Sequence, residues 1–295
     1  MLKKINKTIV DFLDRSFYKK FQNNWDDKML REYVLKYINK ESVLLDIGAG
    51  RGILPEMNFK EQVKKAVGVD PVPEVKSNPY LHESHVGLAD EMPFLENETF
   101  DVVVSDNVLE HVDNPDAFFS EVSRVLKKEG IFIAKTPNVY HYMPTIARIT
   151  PTSFHKFINK IRGRDSEDTF PTRYKANTRQ AQTSYGNKYG MEVVEMKFIE
   201  GRPEYMRTIF ITYPFGILYE KIVNGFNLNR FKVVIFTVMK KNGFIHDDVG
   251  LNEMTKWINK IYEINIEKLP PVNINDKSNE IRLSLYEEIK TAYFK

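Results

Sequence analysis

Short apolar runs alternate with amphipathic stretches from residue 42 to residue 138, regularly enough to assign elements. SVLLDIG at 42–48, KAVGVDP at 65–71, HVGLA at 85–89, FDVVVSD at 100–106 and GIFIAKTPN at 130–138 are rich in Val, Ile and Phe, with Gly, Pro, Asp or Asn near their ends. Such runs read as buried strands. Ile53 to Phe59 reads as a short helix, and NPDAFFSEVSRVLKKEG as a longer one capped by Asn114 and stopped by Gly130. Repeated strand and helix imply an α/β architecture, a doubly wound and mostly parallel sheet with helices on both faces. Ligands of such a sheet lie beyond the carboxyl ends of the strands, where strand order reverses.

Outside this rhythm the pattern changes. MLKKINKTIVDFLDRSFYKKF carries lysines as a signal peptide would, but Asp11 and Asp14 interrupt its apolar face, so it reads as an amphipathic helix closing over a ligand site. WDDKMLREYVLKYINK at 25–40 places Met29, Leu30, Tyr33, Val34, Tyr37 and Ile38 at helical spacing. Residues 139–177 read as a helical insertion punctuated by Pro144, Pro151 and Pro171. A helix from Thr178 to Tyr189, the strand MEVVEMKFI, a second insertion at 200–230 and the strand FKVVIFTVMKK follow. Seven strands result, the last two joined by an insertion and therefore expected as an antiparallel pair. The expected divisions are a helical cap at 1–41, the main domain at 42–241 and a helical extension at 242–295, with helices at about 251–264 and from Asn279.

Composition narrows the function. The chain has 295 residues, 42% hydrophobic and 28% charged, with a net charge of only +3, so no strong field draws in nucleic acid. It contains no cysteine, which removes disulfides, thiolate metal sites and cysteine nucleophiles. The longest apolar stretch, IFITYPFGIL at 209–218, is too short to span a bilayer, and the cytoplasm is the expected compartment. An aromatic content of 13% fits either a large core or a cleft that stacks on sugars.

The chemistry begins at LLDIGAGRG, residues 44–52. A glycine turn after the first strand, with Asp70 closing the second, is shared by nicotinamide-binding and methyl-donor-binding folds; in both, that acid accepts from ribose hydroxyls. Two features separate them. Gly48, Gly50 and Gly52 form G-x-G-x-G, whereas a pyrophosphate-binding turn is G-x-G-x-x-G. Asp46 puts a carboxylate where a diphosphate would be repelled and an ammonium welcomed. S-adenosylmethionine carries an ammonium and no phosphate.

With VGVDP and the block ADEMPFLENETFDVVVSDNVLEHVDNPDAFFSEVSRVLKKEGIFIAKTPN, the stretch from 42 to 138 resembles class I S-adenosylmethionine-dependent methyltransferases of the type 11/12 group. The resemblance implies a Rossmann-like methyltransferase fold with S-adenosyl-L-methionine as cofactor. It implies that Asp46 and the amides of Gly48, Ala49 and Gly50 hold the methionine portion, that Asp70 beside Pro71 holds the ribose, and that Ser105 and Asp106 flank the sulfonium. The family's G-D-A-E-x-L-P-F reads GLADEMPF here, so Leu88 replaces the adenine-binding acid, leaving Asp90 or the backbone near Ala89 for that role. The segment from Thr136 to Thr178 resembles a bacterial subgroup associated with surface-polysaccharide and other glycan assembly.

Methyl transfer is an in-line displacement, so the protein chiefly aligns donor and acceptor and excludes water. A hydroxyl acceptor must also lose a proton, and histidine is a natural base. His111 and His141 are the candidates, with His155 third; His111 has the alternative role of shaping the cofactor pocket. Arg162, Arg164, Arg173 and Lys175 either grip a phosphate on a nucleotide sugar or lipid-linked glycan, or pair with Asp165, Glu167 and Asp168 in a solvated loop. The second insertion either packs on the core or contacts a membrane surface or lipid-linked substrate. Asp106 stands where catechol-type enzymes place a metal ligand, but the fifth strand ends TPN with no acid, so no metal is expected. The expected activity is O-methylation of a sugar or glycan intermediate; the alternatives are another small hydroxylated or lipid-like acceptor and a non-catalytic cofactor-binding module. No nucleic-acid partner is expected, and the pattern leaves oligomeric state open.

Overall fold

The computed structural model describes residues 2–19, 21, 24–149 and 170–242. The chain divides into two units, Met1–Lys241 and Asn242–Lys295. The helices expected at 251–264 and from Asn279, together with His155, Arg162 and Arg164, lie outside the described residues.

Seven strands form one sheet: β1 (Val43–Ile47), β2 (Lys65–Asp70), β3 (Glu83–Val86), β4 (Phe100–Asp106), β5 (Leu126–Pro137), β6 (Met191–Ile199) and β7 (Val234–Lys241). Their order is β3-β2-β1-β4-β5-β7-β6. β1 to β5 pair in parallel, while β7 runs antiparallel to both β5 and β6. From β1 the chain builds outward through β2 and β3, then crosses back to β4 and β5. The reversal opens a crevice at the carboxyl ends of β1 and β4. The described helices are α1 (Leu2–Phe17), α2 (Trp25–Leu35), α3 (Pro115–Val125), α4 (Tyr142–Ile149), α5 (Arg179–Lys188) and α6 (Tyr213–Gly225).

Strand alternation feeds two apolar layers, as expected of a sheet covered on both faces. Leu45, Ile47, Val67, Val103 and Phe132 face one way and bury Phe118, Phe119 and Val122 of α3. Leu44, Ala66, Val102, Val104 and Ile133 face the other way and pack with Leu30, Tyr33 and Val34 of α2. α1 lies instead on α6, through Val10 and Tyr18 against Tyr213 and Ile217. Asp14 of α1 pairs with Arg207 at 2.5 Å and accepts from the Tyr213 hydroxyl.

Three elements differ from the pattern. The helix expected at 53–59 is a single 3-10 turn, Pro55–Met57, because Leu54 before the proline is held extended. β3 lies at Glu83–Val86 and not at HVGLA; it ends where the Gly87 amide turns to donate to the Asp70 carbonyl at 3.0 Å. α3 stops at Val125, short of Gly130. Leu126 already pairs with Phe100, and the Lys127–Asp101 ion pair at 2.8 Å and the left-handed Glu129 carry the chain through a bulge into β5.

Gly48 closes β1 at φ +80°, its amide donating to Val69 O at 2.8 Å. A Cβ there would collide with Val108 Cγ2. Gly48→Ala therefore combines left-handed strain with overpacking and should cost at least about 2 kcal/mol in urea unfolding of the ligand-free protein.

Candidate active site

Three acids end three neighbouring strands. Asp46, Asp70 and Asp106 sit at the carboxyl ends of β1, β2 and β4, around the crevice at the strand-order reversal. Asp46 is buried and forms no hydrogen bond or ion pair with a described side chain. Burial raises its pKa well above the ordinary value, and the charges of Asp106 and Asp70 push the same way. Both carboxylate oxygens of Asp106 and the hydroxyl of Ser105 are buried without a hydrogen-bond partner. The glycine turn closes this wall. The Asp70 carboxylate accepts from the Gly50 amide at 2.8 Å and the Val72 amide at 2.9 Å, and Asn78 Nδ2 donates to the carbonyls of Ala49 and Gly50 at 2.9 and 3.2 Å.

One cation serves this cluster from below. Lys135, in β5, has a fully buried side chain. Its ammonium lies 2.9 Å from Asp106 Oδ1, outside hydrogen-bond alignment, and bonds Asp26 at 3.0 Å and Asp27 of α2. Burial works against that charge, but Asp106, Asp26 and Asp27 together raise the Lys135 pKa. The Asp106 pKa is raised because burial outweighs its share of Lys135, with Asp27 and Asp26 adding repulsion.

Beyond β4 the chain turns through Asn107, at φ +52°, to Glu110 and His111. Glu110 accepts from the Thr136 hydroxyl at 2.9 Å, and Asn177 donates to Thr136 Oγ1 at 2.6 Å. Burial pushes the Glu110 pKa up to about 7, against the opposing effect of these bonds and of Lys135. His111 is partly exposed; its Nδ1 lies 3.2 Å from the Pro171 carbonyl, and its ring meets Phe170 edge-on at 6.1 Å. A carbonyl only accepts, so Nδ1 carries the proton of a neutral ring and Nε2 keeps its lone pair. His141, past β5, is buried. Its Nδ1 accepts weakly from the Met143 amide at 3.4 Å, and its Nε2 faces Glu200 Oε2 at 3.7 Å.

Against this geometry, residues 45–134 match a family model described as a methyltransferase domain. Over that segment the chain is similar to this domain. The matched segment runs from β1 into β5 and contains both acids of the reversal point. The chain is 32% identical over 165 residues to an uncharacterized protein of Methanocaldococcus jannaschii, covering 54% of this chain and 62% of that one. It is 29% identical over 143 residues to a ubiquinone biosynthesis O-methyltransferase of Rhodopseudomonas palustris, covering 46% and 53%. The chain thus spans less than two thirds of these curated relatives. A solved structure of geranyl diphosphate methyltransferase with S-adenosylmethionine aligns at 15% identity and a TM-score of 0.45, over 76% of this chain and 93% of that one.

S-adenosylmethionine is the cofactor of a methyltransferase domain, and the acid cluster suits it. Buried carboxylates lacking donors accept an ammonium and sit beside a sulfonium at low electrostatic cost, whereas a diphosphate there would face Asp46, Asp70 and Asp106. The amides of Gly48 and Ala49 donate to Val69 O at 2.8 and 3.4 Å and that of Gly50 to Asp70, so the turn contributes shape and a locked Asp70 in place of free N–H groups. Pro71 is exposed beside Asp70, and Ala89 and Asp90 follow the Gly87 contact with Asp70, placing that turn on the β2 side of the crevice.

Other partners were not legible in the sequence. Arg173 and Lys175 engage Asp113, at 3.3 and 3.0 Å, which fixes the 170–178 segment over the His111 turn, while Asp165, Glu167 and Asp168 lie outside the described residues. Lys135, Asn78, Thr136, Asn177 and Glu200 carry no motif; only a lysine inside an apolar strand end hinted at a buried acid. Glu110 supplies a test. Its folded pKa of about 7 lies above its ordinary 4.5, so the folded state holds the extra proton and stability falls as pH rises between those values. Glu110→Gln should flatten that decline, and its stability advantage over the wild type in urea melts should be largest above pH 7.

Proposed function

We propose that this protein is an S-adenosylmethionine-dependent O-methyltransferase acting on a sugar or glycan intermediate of surface-polysaccharide assembly. The observation that carries the catalytic reading is the buried polar cluster at the strand-order reversal of a segment similar to a methyltransferase domain: Asp46 without a described cation, Asp106 sharing Lys135 with two other acids, and the unpartnered Ser105 hydroxyl. The glycan reading is supported by the resemblance of the segment from Thr136 to Thr178. A second reading, a small hydroxylated or lipid-like acceptor, is favoured by likeness to the ubiquinone biosynthesis O-methyltransferase.

The bound cofactor would supply an electrophilic methyl group on a sulfonium. Asp46 would hold its ammonium and Asp70 its ribose, with Pro71, Ala89 and Asp90 at the adenine side and Ser105 and Asp106 toward the reacting end. His111 would take the acceptor's hydroxyl proton on Nε2, since the Pro171 carbonyl fixes the other nitrogen as a donor. His141 has both nitrogens facing internal partners, so in this reading it shapes the acceptor side of the site together with Glu200.

Calorimetric titration should show binding of S-adenosylmethionine and its demethylated product and none of nicotinamide dinucleotide. Asp46→Asn should weaken donor affinity at least about tenfold, the scale of a hydrogen bond to a charged group. With labelled donor and cell glycan or lipid extracts, His111→Gln should lower kcat by about a hundredfold while leaving donor affinity in place. Absence of donor binding removes the reading; label found only in a non-glycan lipid fraction selects the second.

A further inference from the structure

α6 presents an unusual outer face. Ile211 just before it, then Phe215, Leu218, Ile222 and Phe226, recur at helical spacing and are 62, 67, 57, 44 and 75% exposed. Leu228 and Phe231 extend the patch beyond the helix end. The opposite face is occupied: Tyr213 and Ile217 pack on α1, and Glu220 is buried and accepts from the Tyr18 hydroxyl at 3.2 Å. From Ile209 to Arg230 the only acid is that buried Glu220, and the exposed charges are basic: Lys221, whose ammonium lies 3.3 Å from Glu220 Oε2, and Arg230, which stacks on Tyr140 at 4.4 Å.

We propose that α6 lays this face in the surface of an anionic bilayer. Two half-exposed or more fully exposed phenylalanines and three aliphatic side chains along one helix face, bordered only by cations, match an in-plane interfacial helix. Anionic headgroups add attraction at Lys221 and Arg230. A bilayer is the occupant because no exposed acid lies between Ile209 and Arg230 to repel anionic headgroups, and the exposed apolar residues recur along the whole helix.

The surface is coupled to the site. Tyr219, on the same helix, donates to Phe231 O at 2.6 Å and packs edge-on against His141 at 5.6 Å and Tyr142 at 4.9 Å, past the carboxyl end of β5. Docking α6 would therefore set the acceptor side of the crevice beside the lipid surface and specify an acceptor carried on a membrane lipid. This last step rests on the methyltransferase reading; the docking itself does not.

The test is cosedimentation of the full chain with vesicles of phosphatidylcholine alone or with added phosphatidylglycerol. The expected result is binding to the anionic vesicles that weakens with salt. Phe215→Ser with Phe226→Ser should lower partitioning at least about tenfold, with unchanged circular dichroism and donor affinity, because both side chains are already in solvent. Lys221→Gln with Arg230→Gln should remove the preference for anionic lipid. A wild-type chain that stays in solution with both vesicles overturns the proposal, as does a double serine variant that binds as the wild type does. So does a wild-type dimer that fails to bind vesicles and becomes monomeric in that variant, which would assign the face to a second copy. Donor titration on the same samples separates the two readings: vesicle binding without donor binding removes the methyltransferase assignment and leaves docking standing.

Discussion

A buried carboxylate without a cation is the constraint around which this structure is arranged. Asp46 ends β1 inside a sheet covered on both faces, and its nearest charged neighbours, Asp106 and Asp70, repel it. An isolated ionised acid in such surroundings is costly, and the cost falls when a ligand brings positive charge. The glycine turn, the Asn78 clamp on its carbonyls and the amides on Asp70 hold these acids in a fixed wall before any ligand arrives. The site is preorganised for a cation and against a diphosphate.

Lys135 shows how the fold supports that concentration of charge. One ammonium is shared by Asp106 and by Asp26 and Asp27 of α2, which stands more than a hundred residues earlier in the chain. A single cation among three acids leaves the region net negative, so the crevice keeps its demand for positive charge. The same contact ties the helical cap to the floor of the site. Removing the ammonium would leave buried acids unpaired, a loss of about 3–5 kcal/mol by analogy with broken buried pairs. The tie thus makes placement of α2 conditional on the residues that define the crevice.

What was legible in the sequence follows from where each element sits in the sheet. β1, β2 and β4 are buried on both faces, so their apolar runs are continuous and end at the expected acids. β3 is an edge strand of half-exposed residues, Glu83 to Val86, with little hydrophobic signal, and the nearby HVGLA, with Leu88 in solvent, misdirected the reading. The bulge into β5 depends on the Lys127–Asp101 pair and on pairing with Phe100, which are tertiary facts. Asp46, Asp70 and Asp106 were legible because strand ends and a glycine turn are local. The partners of Lys135, Arg173 and His141 were not, because each joins elements far apart in the chain.

The distribution of insertions follows the same geometry. β5 ends at Pro137 and β6 at Ile199, and the antiparallel β7 begins at Val234, paired with both ends. The segments 138–178 and 200–233 therefore leave from one edge of the sheet, the edge that carries the crevice. A scaffold that keeps donor chemistry on the first strands and hangs variable loops on the last ones can change acceptor without disturbing the donor wall. His111 lies at the junction: its turn belongs to the donor half, while Pro171 and Phe170 that orient it belong to the insertion. Under the proposed function, that contact would join acceptor choice to proton removal, because the insertion that borders the acceptor would also set the tautomer of the base.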